Sequence, residues 1–127
     1  MKMKKPHSFR HDGKKHTIDL AEVLYIRALR HECLVVLKNS PTEVYPYSAK
    51  AFLKLLAGMY FVQAHRSYWV WLGGIKKLSW NEALMNNGDR VRVSEKYFRA
   101  LKKAFCEYKK RNILPPTLGS FPAVSPN

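Results

Sequence analysis

The chain has 127 residues, 46% of them apolar, and its 23 Lys and Arg against 9 Asp and Glu give a formal net charge of +14. This length suits a single domain with a hydrophobic core, and the excess positive charge indicates an anionic partner such as DNA, RNA or a membrane surface. No apolar run approaches the ~18–20 residues of a membrane span, and the basic start makes a poor signal peptide. Cys33 and Cys106 lack CxxC spacing, which predicts two reduced thiols in a cytoplasmic protein.

The first half of the chain predicts short strands and one short helix. Residues 1–6 are expected to form a disordered basic start, and Asp12-Gly13 is a hairpin turn signal between two strands. Ser48 predicts the N-cap of a helix over about residues 48–57, which Gly58 ends. The β-branched and aromatic runs predict strands at 8–12, 15–19, 23–26, 33–37 and 43–47, with a polar break at 27–32.

The second half continues the β pattern and ends in a helix. Asn87-Gly88 predicts a hairpin with a type I′ turn, which needs positive φ at both residues. Ser94 predicts the cap of an amphipathic helix over about residues 95–110. Strands are expected at 60–62, 68–72, 75–80, 83–85 and 91–93, with a polar segment at 63–67. The pattern therefore predicts a mainly β domain over residues 7–110, with two helices and a flexible Pro/Ser-rich tail over 111–127.

Three polar segments are candidates for function. In His65-Arg66-Ser67 a hydrolase interpretation is weak, because Ser67 lacks a nucleophile-elbow context, whereas a guanidinium can bind guanine or a phosphate. The loop before Cys33 places His31 beside arginines, and imidazole nitrogens can contact base edges, although a lone loop histidine is usually only solvated. The segment 90–96 leads into a helix N-terminus, which can bind a phosphate or can simply be capped.

The order of these segments resembles the LytTR family, the LytR/AlgR-type DNA-binding domain of bacterial regulators. The stretch Tyr60-Phe61-Val62-Gln63-Ala64-His65-Arg66-Ser67-Tyr68-Trp69-Val70 is similar to the family's phrase of a strand, His-Arg-Ser, an aromatic residue and another strand. Residues 20–26 resemble its entry strand, and Ile75, Asn87-Gly88 and Val93-Ser94 fall at the expected intervals. The resemblance spans about residues 14–106.

The resemblance implies a fold of about ten short strands in small antiparallel sheets, with loops that enter successive major grooves of bent DNA. His31 and Arg66 fill two of the family's three reading positions. The third usually carries an arginine, but here it is Glu95, so Lys96 or Arg92 is expected to substitute. The family commonly has an asparagine where Trp71 stands.

We therefore expect a sequence-specific, duplex DNA-binding transcription regulator that is not an enzyme and uses no metal or cofactor. The resemblance assigns base contacts to His31, Arg66 and Lys96, and phosphate contacts to Arg30, Ser67, Arg90, Arg92 and Arg99. Tandem half-sites would require two copies, which leaves a homodimer on DNA open. Neither a receiver domain nor membrane helices accompany the domain, so the chain is either a stand-alone regulator or a fragment of a longer one.

Two other functions remain open from the sequence. An RNA-binding or ribonuclease-like protein would use exposed Trp71 and Tyr68 together with the histidines, since aromatic rings stack on unpaired bases. A module for a partner or a membrane surface would use the basic final helix.

Overall fold

The computed structural model describes residues 6–113, and within them ten strands and two α-helices follow the predicted mainly β pattern. Short 3-10 turns at Leu20–Glu22 and Leu72–Gly74 precede two of the strands. The elements are β1 (Pro6–His11), β2 (Lys14–Asp19), β3 (Val23–Ala28), β4 (Cys33–Leu37), β5 (Glu43–Tyr45), α1 (Ala49–Leu55), β6 (Phe61–His65), β7 (Tyr68–Trp71), β8 (Ile75–Ser79), β9 (Glu82–Met85), β10 (Arg90–Arg92) and α2 (Glu95–Ile113).

The strands form three antiparallel sheets, as predicted for the fold class. A central five-stranded sheet has the order β5-β4-β3-β7-β6, and β8, β9 and β10 form a three-stranded sheet. Strands β1 and β2 pair only with each other. The central pairing of β3 with β7 brings together strands that are about 40 residues apart in the sequence, with Arg27 opposite Tyr68.

The central sheet is covered on both faces, because each of its strands presents apolar side chains alternately to two layers. One face packs against the β1–β2 hairpin and α1, and the other packs against α2 and the three-stranded sheet. Residues buried in the first layer include Phe9, Ile18, Val23, Ile26, Val35 and Phe52. Those of the second include Leu24, Val70, Ile75, Met85, Val91 and Leu101.

A partly buried hydrogen bond joins the two larger sheets. The Tyr25 hydroxyl in β3 donates to Oδ2 of Asp89, at a distance of 2.9 Å, in the loop between β9 and β10. Burial and the Asp89 carboxylate raise the pKa of Tyr25, so the phenol stays protonated as the donor. This contact holds the small sheet in position against the central one.

The two hairpin signals gave different outcomes. Asp12 and Gly13 both have positive φ, of 53° and 74°, as the turn signal predicts. At Asn87-Gly88 the hairpin is present, but the prediction of a type I′ turn is wrong because only Gly88 has positive φ, of 94°. The loop is longer: the Gly88 amide donates to the Met85 carbonyl and the Met85 amide to the Asp89 carbonyl. This pattern fits a loop whose last residue adopts the left-handed conformation.

The helix caps also differ from each other. The Ser48 side chain accepts from the Ala51 amide at 3.3 Å, so the predicted cap of α1 is confirmed. The predicted side-chain cap of α2 is wrong: Ser94 Oγ is buried and forms no hydrogen bond within residues 6–113. Its carbonyl instead accepts from the Tyr97 and Phe98 amides.

Several strands and helices begin or end at residues other than those predicted. Residues 63–65, expected in a polar loop, extend β6, and Trp80, expected in a strand, lies in the turn after β8. Pro6 begins β1, and α2 continues to Ile113 beyond the expected end at residue 110. The expectations for residues 1–5 and 114–127 lie outside the described residues. Neither α1 nor α2, as far as the structure describes them, has the length and apolar character needed to cross a membrane.

Candidate nucleic-acid interface

Four connections between elements lie along one edge of the molecule, which we call the loop edge: residues 29–32, 66–67, 80–81 and 93–96. The Ala28 amide donates to the Ser67 carbonyl at 2.7 Å, which joins the β3–β4 loop to the β6–β7 turn. The Ser94 amide donates to the Ala64 carbonyl, and the Val93 amide to the Asn81 carbonyl. Backbone hydrogen bonds therefore hold all four connections side by side.

The first connection presents His31. The Leu29 amide donates to the Glu32 carbonyl at 2.9 Å, which closes a short loop between β3 and β4. Arg30 and His31 occupy the middle of this loop, and both side chains are exposed. A tight loop on a paired hairpin holds these two side chains away from the sheet and leaves them free for a ligand.

The second connection presents Arg66, whose side chain is exposed at the tip of the β6–β7 turn. The turn is shaped by its preceding residue, since His65 Nδ1 accepts from the Ser67 amide at 3.1 Å. The Gln63 side-chain amide donates to the His65 carbonyl, and the His65 ring meets the edge of Tyr68. His65 thus supports the turn, while Arg66 is the group that is free to bind.

The hydrogen bond at His65 requires a neutral ring, because only a neutral imidazole has an acceptor nitrogen. Burial lowers the pKa of His65 below its ordinary 6.5, and the neighbouring Arg92 and Arg66 lower it further. A lowered pKa means that the folded state binds the proton less readily than the unfolded state. The stability that the neutral His65 ring contributes is therefore present above pH 6.5 and is lost as the pH falls through the folded pKa.

We expect a His65→Asn variant to lose less stability than the wild type between pH 7.5 and pH 5, because the asparagine oxygen can accept from the Ser67 amide at every pH. Urea unfolding at several pH values measures the difference, and the other four histidines are common to both proteins. Identical pH dependence in the two proteins would contradict this role of the imidazole.

The fourth connection, residues 93–96, is the junction of β10 with α2. Glu95 and Lys96 are exposed in the first turn of the helix, and Lys96 Nζ lies 5.5 Å from the centre of the Tyr97 ring. The acidic Glu95 suits the positive end of the helix dipole and opposes a phosphate at this point. Lys96 and the exposed Arg92 are the cations nearest to it in the chain.

The residues predicted to bind phosphate differ in their exposure and in the partners that they already have. Arg30, Arg92 and Arg99 are exposed. Arg90 is also exposed but lies 3.5 Å from Glu82, an ion pair that solvent weakens. Ser67 is half-buried, and its carbonyl is already used by Ala28. Arg30 and Ser67 thus belong to the loop edge, whereas Arg90 and Arg92 lie on β10 and Arg99 lies within α2, with Arg90 partly neutralised.

The aromatic side chains that an RNA-binding function would require are packed. Tyr68 and Trp71 are half-buried against the second core layer, and Lys38 Nζ lies 5.0 Å from the centre of the Trp71 ring. Trp69 packs against the first layer. The RNA-binding alternative is therefore not favoured.

Two residues, one next to the loop edge and one within it, were not predicted to have a role. Arg27 was placed in a polar break, yet it lies within β3, with its guanidinium carbon 5.8 Å from the centre of the Tyr68 ring. Trp80 is exposed over 71% of its surface, whereas Tyr68 is half-buried. Its signal in the sequence is an aromatic residue in the short polar stretch Ser79-Trp80-Asn81.

The remaining histidines and cysteines of residues 6–113 do not meet the requirements of a metal site. In residues 6–113, no three or more His, Cys, Asp or Glu side chains are placed to hold a metal ion. His7 contacts the Tyr45 hydroxyl and His16 contacts Glu43. Cys33 is buried, which raises the pKa of its thiol to about 11, and Cys106 is exposed; both are free.

A sheet-based domain with exposed cations on neighbouring loops suits an anionic ligand such as DNA. The sequence profile of the LytTr DNA-binding domain matches residues 13–106, which is most of the chain. The chain belongs to the LytTR family, as the resemblance in its sequence predicted, and membership makes it a DNA-binding domain of the kind used in transcription regulation.

Comparison of structures agrees with the family. The fold is similar to the LytTr DNA-binding domain of a Bacillus cereus protein described as a methyl-accepting/DNA response regulator, with a TM-score of 0.65 and 25% identity. The match covers 78% of this chain and 94% of that chain. Among curated proteins, no sequence matches this one.

Proposed function

We propose that this chain binds duplex DNA in a sequence-specific manner and regulates transcription by reading the major groove through its loop edge. The observation that carries the proposal is the Ala28–Ser67 hydrogen bond, which fixes the His31 loop beside the Arg66 turn while both side chains remain exposed. Two exposed groups that can contact base edges are thereby held on one rigid surface.

We assign base contacts to His31, Arg66 and Lys96. Arginine can donate two hydrogen bonds to O6 and N7 of guanine, and lysine can donate to the same atoms. His31 can donate or accept, depending on its tautomer. Glu95 beside Lys96 is an acceptor only, so it can at most contact a cytosine amine.

Phosphate contacts provide most of the affinity and none of the sequence preference. We assign these contacts to Arg30, Ser67, Arg90, Arg92 and Arg99. Arg90 must exchange its partner Glu82 for a phosphate, which is inexpensive because the pair is exposed. The net charge of +14 supports long-range attraction to DNA.

Selection from a random duplex library, followed by sequencing, tests the proposal. We expect an enriched motif that occurs twice, with a spacing of about one helical turn, ~10 base pairs, if two copies bind tandem half-sites as a dimer on DNA. No enrichment, or single-stranded RNA that outcompetes the enriched duplex at equal salt, would overturn the proposal.

The salt dependence of binding should report Arg99 specifically. Each phosphate neutralised adds about −0.9 to the slope of log K against log salt, so Arg99→Gln is expected to make the slope shallower by about 0.9. Lys110→Gln is the control, because Lys110 is also exposed but lies near the opposite end of α2. Titrations of a labelled duplex at four salt concentrations give both slopes, and equal slopes for the two variants would remove Arg99 from the interface.

A further inference from the structure

The exposed apolar side chains are distributed unevenly. Within residues 6–113, the large hydrophobic residues that remain exposed are Leu29, Tyr47, Tyr60 and Trp80. Leu29 and Trp80 belong to the loop edge, and Tyr47 follows β5 at the same end of the central sheet, since Tyr45 pairs with Cys33. Only Tyr60 lies at the other end, where it contacts Tyr108. Three of these four exposed apolar side chains therefore lie at or beside the loop edge.

Trp80 is the most exposed of these residues, at 71%, and its backbone is well anchored. The adjoining Asn81 carbonyl accepts from the Val93 amide at 3.0 Å. Ser79 Oγ donates to the Glu82 carbonyl at 3.1 Å and closes the turn from the other side. Within the described residues no ring stacks on Trp80 and no cation lies over it. A rigid turn therefore presents an indole that the fold itself does not use.

The position of the turn places Trp80 at one end of the loop edge. The hydrogen bonds run in sequence from the His31 loop to the Arg66 turn, then from Ala64 to Ser94, and from Val93 to Asn81. Trp80 is therefore separated from His31 by the Arg66 turn and by the start of α2. A duplex that follows the edge meets Trp80 after the residues assigned to base contacts.

We propose that Trp80 packs against the sugar–phosphate backbone of the bound duplex and positions it, without reading bases; this inference rests on the proposed function. The flat apolar face of the indole matches the deoxyribose surface. Its Nε1–H is a donor with no acceptor capacity, which suits phosphate oxygens. A contact to sugar and phosphate supplies affinity but carries no sequence information.

Binding and footprinting with two variants test this role. Trp80→Ala is expected to weaken binding to the selected duplex and to a scrambled duplex by the same factor, about five- to tenfold, and Trp80→Phe by less. Hydroxyl-radical footprinting, which reports on exposed sugars, should lose protection at one end of each half-site in Trp80→Ala. Quenching of tryptophan fluorescence by DNA should be smaller in both variants than in the wild type.

The outcomes separate this inference from the function on which it rests. A wild-type chain that binds no duplex overturns both. A wild type that binds while Trp80→Ala shows equal affinity and an equal footprint overturns only the role of Trp80. A loss confined to the selected duplex would assign the indole to a base instead, and it too overturns the backbone contact. Because Trp80 is exposed, both variants are expected to keep the melting temperature of the wild type, which thermal unfolding verifies.

Discussion

Arg66→Ala is expected to weaken binding to the selected duplex by roughly 5- to 150-fold, the effect of losing about 1–3 kcal/mol from one good base contact. The reason is geometric: Arg66 is exposed at the tip of a turn that the His65–Ser67 hydrogen bond shapes and the Ala28–Ser67 hydrogen bond fixes. Binding to a scrambled duplex should fall much less, because only a phosphate contact is available there. Competition titrations with both duplexes measure the two losses side by side.

Two further variants make this result specific. His31→Ala should also flatten the preference for the selected duplex, since His31 is exposed in the neighbouring loop. Arg111→Ala removes another exposed arginine near the far end of α2 and should leave the preference unchanged. Equal losses on both duplexes for Arg66→Ala would make Arg66 a phosphate contact rather than a reader of bases.

Phe52→Ala is expected to lower the free energy of unfolding by about 3–5 kcal/mol, a large part of the ~5–15 kcal/mol typical of a domain. Phe52 is fully buried, and its ring lies 4.9 Å from that of Tyr45 with an edge-on geometry. Helix α1 is only seven residues long and packs on β3 largely through this side chain. Truncation therefore removes apolar contacts and leaves a cavity between the helix and the central sheet.

Urea unfolding followed by circular dichroism measures this loss. Lys50→Ala is the control, because Lys50 is exposed on the same helix and its replacement should change stability by less than about 0.5 kcal/mol. If Phe52→Ala cost no more than Lys50→Ala, α1 would contribute nothing to the core, contrary to its packing.

Much of the fold was predictable because its signals are local. The strand at Cys33–Leu37 and the helix after Ser48 follow from short runs of residue types, and they occur where those runs lie. The Asp12-Gly13 turn follows from backbone sterics alone. The errors arose where contacts with another segment override the local pattern. Pairing of β6 with β7 includes the mostly polar residues 63–65 in a strand. The loop that contains Asn87 is closed by hydrogen bonds of the Met85 backbone.

The candidate site was predictable residue by residue but not as a surface. His31 and Arg66 were identified from their flanking strands and from the family resemblance, since loops between strands expose polar side chains. Trp80 was not, because it was expected at the end of a strand over 75–80, and an aromatic residue in a strand usually packs in the core. Its exposure depends on β8 ending at Ser79, which is set by the register with β9.

The sequence by itself determined the type and approximate position of most strands and helices, the positive charge and the family. These properties depend on periodicity, turn residues and residue order, which are local features of the chain. Only the tertiary structure decided which loops share an edge. The distance from His31 to Arg66 depends on hydrogen bonds between β3 and β7, and that from Arg66 to Trp80 depends on contacts of Ser94 and Val93. Such pairings form between segments far apart in the sequence, and they are selected by burial of both faces of the central sheet rather than by any local pattern.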